Sequence, residues 1–228
     1  SVTTSETEDI YTAYVDADRS MRIVKILPNG LKEEKVIRTF VQDNPFHVKA
    51  SVAIDKNGYI HVCGNTHNQP WEYYISDQPN SIQSFTKIST IPGEDITYPQ
   101  FFKDKNNELF ITFRHKVKPA PDNWTRGSSG GGIIKYDANA KTFTMLGGTD
   151  HKLAKTVVWS NHGGQDGHYQ QPGIRLFFDN NNRMHLVATM IGEDDHPTSS
   201  WKATHLLYAY SDDGGATFHT IDKKKIAA

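Results

Sequence analysis

The stretch from Ser51 to Cys63 reads Ser-Val-Ala-Ile-Asp-Lys-Asn-Gly-Tyr-Ile-His-Val-Cys. Its two short apolar segments flank the turn Asp55-Lys-Asn-Gly58, which is a strong signal for a β-hairpin. The pattern recurs in stretches 11–24, 100–113 and 174–187. The leading aspartates, Asp16, Asp55, Asp104 and Asp179, are separated by 39, 49 and 75 residues (55 − 16, 104 − 55, 179 − 104). Hairpins that recur about every 40–50 residues are typical of a β-propeller.

A second signature, Ser211-Asp-Asp-Gly-Gly-Ala-Thr-Phe218, fits the S-x-D-x-G-x-T-F pattern known as an Asp-box. Asp213 is expected to accept hydrogen bonds from the turn amides, and Phe218 is expected to pack into the sheet. A degenerate copy runs from Glu72 to Asp77, with Phe85 downstream. This motif predicts architecture and not chemistry.

The repeats predict an all-β fold: a β-propeller with four-stranded antiparallel blades, in one domain over residues 1–228. The length accommodates four or five blades of about 40–50 residues each. The last residues, 221–228, look like an interrupted strand, so we expect either an unusually small ring or part of a longer propeller. An open stack has unpaired sheet edges, which favour association with another chain. The glycine-rich stretch 118–132 is predicted to be a surface loop.

The composition excludes several classes of protein. Twenty-five Lys and Arg against 26 Asp and Glu give a net charge of −1, which argues against nucleic acid and anionic membranes as partners. The longest apolar runs are far shorter than the ~18 residues of a spanning helix. The single Cys63 excludes a disulfide framework and a cysteine-based zinc cluster within one chain.

Polar residues capable of catalysis recur at equivalent positions of the hairpins. His47 precedes the hairpin 51–63 and His67 follows it, while Tyr98 precedes the next hairpin and Arg114 follows that one. Because a hairpin returns to the side on which it started, we expect these four side chains on one rim of the fold. Taken singly, each also has an ordinary structural interpretation as a packed or hydrogen-bonded residue.

Two further segments carry candidate groups. The stretch from His162 to His168 combines His, Asp and Gly, which fits either a metal site or a close-packed loop. Arg126 lies on the predicted loop, and Tyr169 is at the beginning of the third strong hairpin repeat.

The residue types on this rim favour β-elimination from a uronic acid. Ordinary glycoside hydrolysis needs two carboxylates across the bond, and no acidic pair stands out there. A sialidase-like site needs three arginines, whereas the rim has mainly Arg114. In elimination, Arg and His neutralise the carboxylate, a His near its ordinary pKa of ~6.5 removes the adjacent proton, and a Tyr protonates the departing oxygen.

Residues 44–67, 97–114 and 208–215 resemble the bacterial BNR-repeat propellers that include ulvan lyases. The His–His spacing of 20 (67 − 47) and the Tyr–Arg spacing of 16 (114 − 98) are the most specific parts of this similarity. The resemblance implies a seven-bladed propeller, of which this chain is roughly half. It also implies cleavage between sulfated rhamnose and a uronic acid by elimination, which leaves an unsaturated uronate.

The resemblance also assigns roles to the residues. His47 is implied as catalytic base or acid with Tyr98 as its counterpart, and Arg114 with His67 as the pair that neutralises the carboxylate. The implied substrate contacts are Asn65, Arg126, His168 and Tyr169. No cofactor is needed for this chemistry, although family members often carry a structural metal ion, such as Ca²⁺ or Zn²⁺. The substrate class, an acidic polysaccharide, implies a secreted or periplasmic bacterial protein.

Three functions therefore compete: a polysaccharide lyase, a propeller that binds carbohydrate without catalysis, and a sialidase-like hydrolase suggested by the Asp-box alone. An unsaturated uronate product distinguishes the first from the other two.

Overall fold

The structure is a computed structural model that describes residues 1–39, 49–64, 66–116, 129–151, 154–158, 169–193 and 201–226. Within these ranges the regular elements are β-strands joined in antiparallel pairs. Over the same ranges, no helix has the length and apolarity needed to cross a membrane.

In the described residues the strands form four sheets of three to five strands and one two-stranded sheet. Sheet 1 contains β1 (Val2–Thr4), β2 (Ile10–Val15), β3 (Met21–Ile26) and β4 (Lys32–Arg38) in that order. Sheet 2 contains β5 (Ala50–Ile54), β6 (Ile60–Gly64), β8 (Tyr73–Ser76) and β9 (Phe85–Lys87). Sheet 3 begins with β7 (His67–Gln69) and continues with β10 (Ile96–Lys103), β11 (Leu109–Lys116), β12 (Ser129–Asp137) and β13 (Thr142–Met145). Sheet 4 contains β16 (Tyr169–Phe178), β17 (Met184–Glu193) and β18 (Trp201–Ser211). A separate hairpin joins β14 (Thr149–His151) to β15 (Ala154–Thr156).

The sheets pack face to face in chain order. Apolar clusters fill each interface: Tyr11 and Met21 of sheet 1 against Ile60 of sheet 2, Tyr73 of sheet 2 against Phe113 of sheet 3, and Phe110 of sheet 3 against Phe178 of sheet 4. Burying one such side chain contributes about 1.5–3 kcal/mol, so the interfaces between sheets stabilise the stack. The prediction of an all-β fold with antiparallel sheets is confirmed, while the number of blades stays a prediction.

All four predicted hairpins form. Asp55 explains the recurring aspartate, because its Oδ1 accepts hydrogen bonds from the amides of Asn57 and Tyr59, both at 2.9 Å. Asp104 and Asp179 make the same pair of bonds in their own turns.

The four turns do not all lie at the same place in their sheets. Asp16 and Asp104 join the second and third strands of sheets 1 and 3, whereas Asp55 and Asp179 join the first and second strands of sheets 2 and 4. The turn chemistry is therefore shared, but the position of the turn within the sheet varies.

The glycine-rich stretch 118–132 was predicted to be a surface loop, and for its last residues this is wrong. The glycines at 130–132 belong to β12 and pair with β11. A Cβ at Gly132 would lie 2.5 Å from Cζ of the buried Phe113, so the absence of a side chain makes room for this ring. Residues 117–128 lie outside the described ranges.

The turn from Ser211 to Phe218 is closed by Asp213. Its Oδ1 accepts a hydrogen bond from the Thr217 amide at 2.9 Å, and its Oδ2 accepts one from Thr217 Oγ1 at 2.7 Å. Desolvation alone would raise the pKa of Asp213, but these bonds and one from Ser211 outweigh it and lower the pKa to about 2. Phe218 is buried in the cluster between sheets 3 and 4, as expected for this residue.

Candidate functional site

Three of the predicted site residues lie on neighbouring strands where sheet 3 begins. Thr97 of β10 lies opposite His67 of β7 on one side and opposite Arg114 of β11 on the other. Residues that are directly opposite in antiparallel strands place their side chains on the same face. With neighbouring strands about 4.8 Å apart, the backbones of His67 and Arg114 are separated by about 10 Å across Thr97.

Tyr98 joins this group through a distortion of β10. The pairing register of β10 with β11 shifts between Thr97 and Gln100, and Tyr98 adopts a φ of 55° there. A positive φ is uncommon for an aromatic residue. It accompanies a stacked arrangement in which the guanidinium carbon of Arg114 lies 5.0 Å from the centroid of the Tyr98 ring.

Hydrogen bonds hold the β7 side of the site in place. The backbone N–H of Asn68 donates to Thr97 Oγ1 at 2.8 Å, and Thr97 Oγ1 donates to Asn68 Oδ1 at 3.3 Å. The side-chain amide of Asn68 lies 3.3 Å from Nε2 of His67. An amide nitrogen can only donate, so Nε2 of His67 is the acceptor in this contact.

Lys49 is a member of the site that the sequence analysis did not identify. Its Nζ lies 5.6 Å from the centroid of the Tyr98 ring, so this phenol has two cations near it. A single lysine outside any motif gives no signal in the sequence, and only the stacking of sheet 2 on sheet 3 brings Lys49 to Tyr98.

His115 shows the ordinary structural role that a histidine plays beside this site. Its side chain is buried, and Nε2 lies 3.1 Å from Thr156 Oγ1. This contact links β11 to β15, and the buried His115 side chain is not accessible to a ligand.

The other predicted site residues are not placed by the structure. His47, Asn65, Arg126 and His168 lie outside the described residues, as does the stretch 162–168, for which a metal site and a close-packed loop were the two interpretations. Tyr169 is the first residue of β16 and pairs with Ile191 through the backbone. Among the described residues, no group of three or more His, Cys, Asp or Glu side chains is arranged to hold a metal ion.

A cleft of about 350 Å³ lies at the opposite end of the strands, beside the turn that begins at Asp55. Hydroxyl, amide and charged groups line it, including Ser5, Asn57, Asn80 and Lys103. It contains none of the predicted site residues.

The chain belongs to the BNR repeat-containing family, because the sequence profile of that family matches residues 9–228. No curated protein matches the sequence significantly.

Solved structures share the fold. The crystal structure of a polysaccharide lyase, Uly1, superposes with a TM-score of 0.64 and 14% identity, covering 94% of this chain and 52% of that one. A protein of unknown function from Dyadobacter fermentans DSM 18053 superposes with a TM-score of 0.56 and 12% identity, covering 96% of this chain and 66% of that one. The chain thus spans about half the length of the lyase. At these identities the likeness establishes a shared fold.

Proposed function

We propose that this chain forms part of a polysaccharide lyase that cleaves a uronic-acid-containing, sulfated glycan of the ulvan type by β-elimination. The observation that carries the proposal is the alignment of His67, Thr97 and Arg114 across three strands, with the Tyr98 ring stacked against Arg114. A guanidinium, an imidazole and a phenol within one small area match the needs of this reaction.

The chemistry follows from the functional groups. The proton at C5 of a uronate becomes acidic only when the adjacent carboxylate is neutralised, which is the role of Arg114 with His67. A base removes that proton, a C4–C5 double bond forms and the C4–O bond breaks. The departing oxygen then takes a proton. His47 and Tyr98 supply the base and the acid, in an order that the proposal leaves open.

A second candidate is a propeller that binds carbohydrate without cleaving it. The observation in its favour is burial: the residues Tyr98 and Arg114 are only 6% and 5% exposed. A substrate must reach both groups for elimination to occur, whereas binding requires only the exposed rim around them.

One experiment separates the two candidates. The protein is incubated with ulvan, and the near-ultraviolet absorbance of an unsaturated uronate is followed. Rising absorbance supports the lyase. Retention on immobilised ulvan without absorbance supports the binding protein, and new reducing ends without absorbance indicate a hydrolase.

A further inference from the structure

Lys49 differs from several other lysines of the chain in its partners. Lys25, Lys56 and Lys87 each form an ion pair with a carboxylate, namely with Asp9, Glu108 and Glu72. Lys49 is exposed, and among the described residues its side chain contacts the Tyr98 ring and no carboxylate. Its exposed ammonium group lies beside the Tyr98 ring, where an anion from solvent can reach it.

Gly64 allows the backbone of Lys49 to lie close to β6 at this rim. Gly64 lies opposite Ala50 in the pairing of β5 with β6, and its φ is +145°. A Cβ at this position would lie 2.0 Å from the carbonyl oxygen of Lys49. Only a glycine permits so close an approach, so the placement of Lys49 beside the site is built into sheet 2.

The two cations around Tyr98 differ in what they can hold. Arg114 is almost fully buried, and its planar fork matches a carboxylate in two parallel hydrogen bonds. Lys49 is exposed, and its ammonium is a compact charge without a preferred plane, which suits a tetrahedral anion. Both lie within 6 Å of one ring, which is close enough for neighbouring units of one polymer to reach both.

We propose that Lys49 binds a sulfate ester on the sugar next to the uronate that Arg114 holds. This rests on the proposed function for its acidic glycan, and it adds a residue that selects sulfated over unsulfated polymer. Lys49 acts as a positioning and specificity residue and takes no part in proton transfer.

The test is Lys49→Gln, which removes the charge and keeps a similar side-chain length. With ulvan, the variant should raise KM about fivefold, as expected for one exposed ion pair, with kcat changed less than twofold. With chemically desulfated ulvan, wild type and variant should have the same KM. A higher KM that persists on the desulfated polymer would overturn the assignment to sulfate.

Lys141→Gln is the matched control. Lys141 is also exposed and lies over an aromatic ring, with Nζ 4.8 Å from the centroid of Tyr59. It precedes β13, away from His67 and Arg114. This variant should leave both KM values unchanged.

A binding assay separates this proposal from the lyase proposal. In a native gel that contains ulvan, wild type and Lys141→Gln should be retarded, and Lys49→Gln should be retarded less. Retardation without any unsaturated product would contradict the lyase and leave Lys49 as an anion site. Equal retardation of wild type and Lys49→Gln would refute the site, whatever the turnover.

Discussion

His61 and His185 occupy equivalent positions in sheets 2 and 4 and make the same two hydrogen bonds. Each follows the turn aspartate by six residues (61 − 55 and 185 − 179). Nδ1 lies 2.8 Å from a tyrosine hydroxyl in both cases, and Nε2 lies 3.3 or 3.4 Å from the aspartate carboxylate. The tyrosines, Tyr73 and Tyr208, are also equivalent, because each lies opposite the residue two places after the histidine.

These two Tyr–His–Asp hydrogen-bond networks differ in what covers them. The His61 ring packs against Phe101 and Tyr136 of sheet 3, and the side chain is completely buried. In sheet 4 the equivalent face is open in the described part of the chain, where Phe177 is 65% exposed and Tyr208 is 40% exposed. The network is therefore part of the interface between sheets. The free energy of unfolding that is lost when the network is broken depends on whether the next sheet covers it.

This difference predicts unequal effects for one substitution. Tyr73→Phe removes the donor to Nδ1 of His61 and leaves a buried acceptor unpaired, which should lower the free energy of unfolding by about 1–3 kcal/mol. Tyr208→Phe removes the same bond where water can replace it, so the loss should stay below about 0.5 kcal/mol. Urea unfolding of both variants measures the two values. Equal losses would show that burial does not determine how much this network contributes to stability.

Burial of His61 also predicts an acid-sensitive fold. Desolvation lowers the pKa of His61, and the bond to Asp55 offsets this only in part. In the unfolded chain this histidine has an ordinary pKa of about 6.5. Below that pH the unfolded chain therefore binds a proton at His61 more readily than the folded chain does. The contribution of His61 to stability is complete above that value and is lost as the pH falls below it.

The measurement is the free energy of unfolding between pH 7.5 and 5. Wild type should lose up to about 1.4 kcal/mol per pH unit from this one site. His61→Asn, which has no titrating ring, should show a slope smaller by up to about 1.4 kcal/mol per pH unit, which corresponds to one proton. An identical slope in both proteins would remove His61 from the acid response.

The sequence predicts local structure well because the turns are local. Asp55, Asn57 and Gly58 specify a hairpin through bonds within five residues, and the hairpin is found where expected. Turn chemistry does not encode which two strands of a sheet the turn joins: Asp16 and Asp104 follow the second strand of their sheets, whereas Asp55 and Asp179 follow the first.

The site is harder to predict because it depends on contacts between sheets. The positions of His67, Tyr98 and Arg114 on one rim follow from hairpin geometry, and the structure brings these three together. The strand register shift and positive φ at Tyr98 and the approach of Lys49 have no local signature. They arise from the packing of sheet 2 on sheet 3.

The proposed elimination predicts a loss of turnover without a loss of fold. Tyr98→Phe keeps the ring against Arg114 but removes the acidic hydroxyl, so kcat on ulvan should fall at least about 100-fold. Arg114→Lys keeps the charge but loses the planar fork, and it should be impaired to a similar degree. Initial rates of unsaturated uronate formation give both values.

The matched controls lie in sheet 4, where Arg183 stacks over Tyr210 with its guanidinium carbon 4.4 Å from the ring centroid. Arg183→Lys and Tyr210→Phe change the same chemical groups away from the site, and both should keep wild-type kcat. Wild-type turnover in Tyr98→Phe would exclude this phenol as acid or base, and the proton would then have to come from another group.

Gly64 and Gly30 allow backbone strain to be separated from steric overlap. Both have positive φ, +145° and +84°, but a Cβ at Gly30 meets nothing within 4 Å, whereas one at Gly64 lies 2.0 Å from the Lys49 carbonyl oxygen. Gly30→Ala should therefore cost about 1–2 kcal/mol, the strain of a left-handed residue alone. Gly64→Ala must also push β5 away from β6, so it should cost more than about 4 kcal/mol or prevent folding.

Urea unfolding and the yield of soluble protein measure both effects. If the two variants lost the same free energy, the close contact with Lys49 would not constrain the rim. Because that contact places the ammonium beside Tyr98, a folded Gly64→Ala protein should also bind ulvan as weakly as Lys49→Gln does.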